Sequence, residues 1–211
     1  MRVLLIRPCA IRLLSEVKIE DMSSLGHAIQ VLHQRYAIPH IVITSVSLQH
    51  PDHPEASLSV VGSTMTSDRR ARPFKIVFPA IDCYFSGTGD MFAALTVVRM
   101  REAVWNTPAD DNGNILSSIE SWRSDDSVDA VNLPLAKAVE KVLASMHEVL
   151  TKTSEAMHGG LKRRLVGDGL VNGGADEKKM RLLKSKAAEL RLVRQVESLR
   201  SPVVQFRAVR M

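Results

Sequence analysis

Gly87-Thr88-Gly89-Asp90 lies between two apolar stretches, Phe74–Pro79 and Met91–Val98, and it narrows what the chain can become. Two glycines around one threonine make a turn in which the backbone can approach a ligand closely. Met91, Phe92, Ala93, Ala94, Leu95, Val97 and Val98 predict a helix from Gly87 to about Glu102, apolar on nearly all its faces and therefore buried. The turn then sets unpaired N–H groups and the positive end of a helix dipole at the head of that helix, where phosphate is favoured. Asp90 falls in the first turn. A carboxylate there can take the proton of an alcohol that attacks a phosphoryl group held by the same N–H groups. By itself the tetrapeptide is weak, since Gly-x-Gly-Asp arises by chance in about one in twenty chains of this length. A Gly-rich turn with Asp90 as a helix cap explains the bare motif equally well.

The rest of the chain reads as alternating helices and strands. Met22, Leu25, Ile29 and Leu32 recur at spacings of three and four, predicting a helix over Ile19–Tyr36 that stops before Pro39. His40–Ser45 is a short β-branched run of the kind buried on both faces of a parallel sheet. Ala56–Gly62 and Phe74–Pro79 are further strands. Residues 105–132 lose the apolar pattern and predict a surface insertion. Leu133–Met157 is a second strong helix, with Leu135, Val139, Val142, Leu143, Met146, Val149 and Leu150 as its stripe. His158–Ala175 holds six glycines and predicts a flexible linker. Asp176–Val196 is helical in pattern, and Pro202–Val209 alternates as a closing edge strand.

Composition sets outer bounds. A chain of 211 residues, 45% hydrophobic and 24% charged, can bury a real core. With only 4% aromatic residues, that core must rest on aliphatic side chains and Met. No apolar run approaches the ~20 residues of a membrane helix, and Met1–Pro8 is too short for a secretory signal. Cys9 and Cys83 are the two cysteines, too few for a disulfide framework or a metal cage. These points predict a cytoplasmic setting, with the nucleus as a second location. The net charge of +5 is concentrated from Lys178 to Met211, where ten Lys/Arg face two Glu. No aromatic residues interleave with those cations, so nucleic acid is not the expected partner. His50, Asp52 and His53 sit in a Pro-bearing loop and read as polar surface rather than metal ligands. His27 and His33, six apart on a helix, read as exposed. Cys83 reads as a small packing residue and His147 as a half-buried spacer.

The stretch Phe85-Ser-Gly-Thr-Gly-Asp-Met-Phe-Ala-Ala-Leu95 resembles the signature of pyridoxal kinases, within the ribokinase superfamily. Ile41-Val-Ile-Thr-Ser45 resembles the strand and turn whose threonine contacts ATP in that family. Leu13-Leu-Ser15 and Val17-Lys-Ile-Glu-Asp-Met22 also match, in the same order. The likeness runs from Leu13 to Val104 and again from Leu133 to Leu150. It implies a ribokinase-like three-layer α/β/α fold around a mostly parallel sheet, and ATP-dependent phosphorylation of the 5′-hydroxymethyl of pyridoxal, pyridoxine or pyridoxamine in pyridoxal 5′-phosphate salvage. Asp90 is then the general base, and Gly87, Thr88 and Gly89 form the anion hole. Thr44 and Ser45 meet the ATP phosphates or ribose, while Ile81, Phe85 and Leu150 lie along the nucleotide. Mg²⁺ (or Zn²⁺) and K⁺ are the implied cations, no metal ligand is assigned in the protein, and a homodimer is the implied assembly.

The likeness stops at residues 1–12. The family's Asn-Gln-x-Glu element falls on Arg7-Pro8-Cys9-Ala10, which leaves the glutamate role without a candidate, and the glycine after Leu-Leu-Ser is Glu16. Residues 1–12 are therefore expected to be atypical, with 13–211 matching the C-terminal part of the kinase domain. A domain cut there would be incomplete on its N-terminal side, with most of the vitamin pocket missing and solubility or turnover impaired. Two other functions stay open: a non-catalytic module that binds through its basic C-terminal region, and a hydroxymethylpyrimidine kinase.

Overall fold

The computed structural model describes residues 2–48, 54, 56–109, 113–167 (the backbone alone for 158–167), 190 and 192–211. Strand β1 (Val3–Ile6) and helices α1 (Pro8–Ser15) and α2 (Met22–Tyr36) come first, followed by β2 (His40–Val46), β3 (Ser57–Thr64) and β4 (Pro73–Pro79). Helix α3 (Thr88–Trp105), three short 3₁₀ turns, α4 (Pro134–Gly167), α5 (Val196–Arg200) and β5 (Val209–Arg210) complete the order. The five strands form one sheet in the order β1-β2-β3-β4-β5.

Side chains alternate across the sheet, and each face carries its own core. Ile41 and Ile43 of β2 and Val61 of β3 pack with Ile11, Leu25, Ile29 and Leu32 of α1 and α2. Their neighbours Val42 and Val60 point the other way, together with Phe74 and Ile76, onto Phe92, Met100 and Val104 of α3 and Leu135, Val139 and Val142 of α4. The result is a helix–sheet–helix sandwich, as expected. The sheet corrects one expectation: of the pairings among described strands, only β1–β2 is parallel, while β2–β3, β3–β4 and β4–β5 are antiparallel. A buried β-branched run marks a central strand but carries no information about the direction of its neighbours.

Local sequence sets the boundaries. Asp21 accepts the Ser24 N–H at 2.7 Å and Ser24 returns the bond to the Asp21 N–H, a capping box that starts α2 at Met22 rather than Ile19. Helix α1 ends at Glu16, whose φ of 62° is a conformation better suited to glycine. Gly62 stands directly opposite Phe74 in the β3–β4 pair, and a Cβ there would come within 2.3 Å of the Phe74 ring. Gly62→Ala is therefore expected to cost about 2 kcal/mol through displacement of a fully buried ring. A urea midpoint equal to that of the wild type would count against it.

Several other expectations change. Helix α3 is buried along Met91, Phe92, Thr96, Met100 and Val104, but Val97, Val98 and Trp105 are exposed, so it is a surface helix with one buried face. The insertion does not stand free where it is described. Leu116 is buried, Trp122 meets Trp105 edge-on at 5.5 Å, and the Arg72 guanidinium donates to the carbonyls of Ser124, Asp125 and Val128. The expected linker from His158 is helical as far as Gly167, as a continuation of α4. Residues 168–189 and the His50-Asp52-His53 loop lie outside the described residues. Residues 202–208 alternate in burial as expected, though only Val209 and Arg210 pair as a strand. Residues 3–6, within the segment expected to be atypical, are part of the sheet.

His33 is not exposed. It is fully buried between Ile38 O (2.7 Å) and Ser63 Oγ (2.8 Å). Helical spacing alone cannot show that α2 turns this position toward β3.

Candidate active site

Parallel strands open their carboxyl ends to ligands, and β1 and β2 are the parallel pair here. A cavity of about 380 Å³ lies at those ends. Its walls come from the end of β1 (Arg7), the end of β2 (Thr44, Ser45), the β4–α3 connection (Ile81, Cys83, Tyr84, Phe85), the head of α3 (Thr88, Gly89) and one side of α4 (Leu143, Met146, His147, Leu150). Residues more than a hundred positions apart in the chain thus share one space.

The end of β2 is shaped for this. The β2–β3 register breaks between Ile43 and Val46. Ser45 sits there with φ 57°, a left-handed conformation that is unusual for a residue with a side chain. Such a bulge releases Thr44 and Ser45 from the regular ladder and aims them at the cavity. Strain of this kind costs roughly 1–3 kcal/mol and tends to collect at functional positions.

The head of α3 supplies the anion-favouring end. Gly87 is the N-cap with φ 80°, which glycine adopts freely. The first intrahelical bond runs from Met91 N to Gly87 O at 3.1 Å, so the N–H groups of Thr88, Gly89 and Asp90 precede the ladder. A Cβ on Gly89 would meet nothing within 4 Å, so open space lies beside it. The Asp90 side chain is exposed, two residues into the helix.

Thr44, Ser45, Ile81, Phe85, Thr88, Gly89 and Leu150 all border the cavity. Gly87 and Asp90 do not line it but flank the lining residues Thr88 and Gly89. Arg7 and His147 also border it and were assigned no site role from sequence. Arg7 directly follows the last residue of β1. His147 is half-buried as expected, with Phe206 at 5.0 Å edge-on, and burial lowers its pKa. Cys83 lies on the same wall, its sulfur 3.7 Å from Met157 Sδ.

The wall offers hydroxyls, amides and one guanidinium but no carboxylate. Among the described residues no three His, Cys, Asp or Glu side chains come together as a metal site. The residues present therefore do not fit a protein-held divalent ion, and no step is derived through one. Among the described residues no helix is long and apolar enough to cross a membrane.

No family model matches the chain. Two proteins of Schizosaccharomyces pombe, each named "Putative pyridoxal kinase", are similar in sequence. One is 29% identical over 143 residues, covering 68% of this chain and 39% of the relative. The other is 25% identical over 183 residues, covering 85% and 48%. The fold is that of solved pyridoxal kinases. The Leishmania donovani enzyme in complex with ADP and pyridoxamine superposes with a TM-score of 0.61 at 18% identity, over 100% of this chain and 52% of that one. The Trypanosoma brucei enzyme gives 0.58 at 19% identity, over 99% and 52%. The chain spans about half the length of these structures, and less than half that of the two yeast relatives.

Proposed function

We propose that the cavity is the nucleotide site of a pyridoxal kinase, and that this chain supplies the ATP side of phosphoryl transfer to the 5′-hydroxymethyl of a B6 vitamer. One observation carries this reading: seven of the nine residues singled out by resemblance, far apart in sequence, border one cavity at the ends of parallel strands, and the other two, Gly87 and Asp90, flank it. The apolar wall of Ile81, Phe85 and Leu150 suits a nucleobase, and the amide-rich head of α3 suits phosphate. In this reading Gly87, Thr88 and Gly89 cradle the transferring phosphate, Thr44 and Ser45 hold the chain of phosphates or the ribose, and Asp90 takes the proton of the acceptor alcohol. Positioning and charge complementarity do most of the work in such a transfer. Mg²⁺ and K⁺ enter as ions that accompany the nucleotide. A cytoplasmic setting and a homodimer belong to the same reading.

The alternative of a binding module acting through a basic tail gains no comparable observation. In the described part of the tail, Arg200 pairs with Glu197, Arg207 with Glu140 and Arg210 with Asp129.

The test is thermal unfolding with and without ADP. At a hundred times Kd, binding to the native state adds about 2.7 kcal/mol, which should raise Tm by roughly 5 °C or more. Leu150→Trp, which fills the apolar wall, should cancel the shift. A Tm indifferent to ADP in the unaltered chain would sink the reading.

A further inference from the structure

Arg7 stands one residue beyond Ile6, which pairs with Ile43 in the parallel β1–β2 register. Carrying that register one step further sets Arg7 beside Thr44, and both border the cavity. The Arg7 main chain is committed: its carbonyl accepts from the N–H groups of Ala10 (3.0 Å) and Ile11 (3.3 Å) as α1 begins. Its guanidinium is not, for it is exposed and makes no hydrogen bond or ion pair with any described residue. Among the residues that border the cavity it is the only Lys or Arg, and no Asp or Glu stands with it.

The charge balance of the cavity gives this position its meaning. A nucleotide's phosphates bring several negative charges, while a helix head offsets only about half a charge. An ion that accompanies the nucleotide offsets only part of that charge, and the wall has no carboxylate to hold one. A guanidinium at the rim supplies a full positive charge and a planar fork of donors matched to phosphate oxygens.

We propose that Arg7 is a phosphate-binding residue of this cavity, held next to Thr44 by the β1–β2 pairing, and that it shares the phosphates with the first-turn amides of α3. The proposal rests on the reading of the cavity as a nucleotide site.

Calorimetric titration of the unaltered chain, Arg7→Gln and Arg7→Lys with ADP, adenosine and inorganic tripolyphosphate tests it. Arg7→Gln should weaken ADP and tripolyphosphate by about tenfold or more and leave adenosine unchanged. Arg7→Lys should recover part of the loss, since it keeps the charge but not the fork. Added salt should matter less to the Gln variant than to the parent. The unliganded variants should melt with the parent, because the side chain has no partner to lose among the described residues. Equal ADP affinity in Arg7→Gln and the parent would overturn the proposal while leaving the nucleotide site in place. An equal loss for ADP and adenosine would also overturn it, by showing an effect on cavity shape. If tripolyphosphate binds through Arg7 while ADP binds no better and adenosine not at all, Arg7 keeps its role and the nucleotide reading falls.

Discussion

If the chain works as the kinase proposed above, Asp90→Ala should lower phosphoryl transfer to pyridoxal by about a thousandfold, while ADP affinity holds or rises slightly. A positioned general base contributes roughly 10²–10⁴ in rate, and Asp90 has the setting for the task. It is the third residue of α3, directly after Gly89 at the cavity wall, and its side chain is open to an incoming acceptor. The substitution removes a negative charge beside the unpaired first-turn amides of α3, so anion binding there has no reason to weaken. The cost to the fold is small, because a first-turn carboxylate adds only about 0.3–1 kcal/mol to a helix. Asp90→Asn keeps the shape without the base and should be equally slow. A variant that retains more than a tenth of the parent rate would remove Asp90 from the mechanism.

Acid should destabilise the protein well before its carboxylates titrate. His33 and His40 are both buried, and burial is the main cause that takes each from 6.5 to about 4. The geometry explains the preference for the neutral form. In His33 one ring nitrogen faces the Ile38 carbonyl at 2.7 Å and must donate, while the other faces Ser63 Oγ at 2.8 Å and can accept. In His40 the donor faces Ser121 O at 2.7 Å and the acceptor faces Thr64 Oγ1 at 2.9 Å. A second proton on either ring turns the acceptor against a hydroxyl and buries a charge near the Arg72 guanidinium. The folded pKa lies below the unfolded one, so each histidine's contribution is complete above about pH 6.5 and is lost as pH falls toward 4. At about 1.4 kcal/mol per pKa unit the loss is on the order of 3 kcal/mol for each ring, against a total stability of roughly 5–15 kcal/mol for a domain. Urea midpoints should drop steeply between pH 7 and 4.5, and His40→Gln should flatten part of that slope. A midpoint constant from pH 7 to 5 would contradict the burial argument.

The contrast between Asp90 and His33 shows what was readable in advance. Asp90 lies in a contiguous motif whose chemistry is backbone chemistry: glycines, a helix start and a carboxylate one turn in. His33 sits on a correctly placed helix, yet its burial depends on how α2 rolls against β3, which no spacing within α2 reports. Only the resemblance to the kinase family points to Leu150; its place in the α4 stripe says nothing of a ligand. Arg7 and His147 border the same cavity and were assigned no site role, because nothing near them in the chain says that their elements end there. Glu16 is an intermediate case. It stands where the resemblance implies a glycine, and its left-handed φ of 62° is a conformation that glycine adopts more readily.

By itself the sequence determined α2, α3, the first part of α4, the strands β2 to β4 and the glycine turn at Gly87–Asp90, since periodicity, caps and glycine freedom act over a few neighbouring residues. Only the tertiary structure decided the direction of the strands, the one-sided burial of α3, the bulge that aims Thr44 and Ser45, and the meeting of Arg7, Thr44, Thr88 and Leu150 around one cavity. Those features arise from contacts between distant segments, where shape and buried area, rather than local preference, select the arrangement.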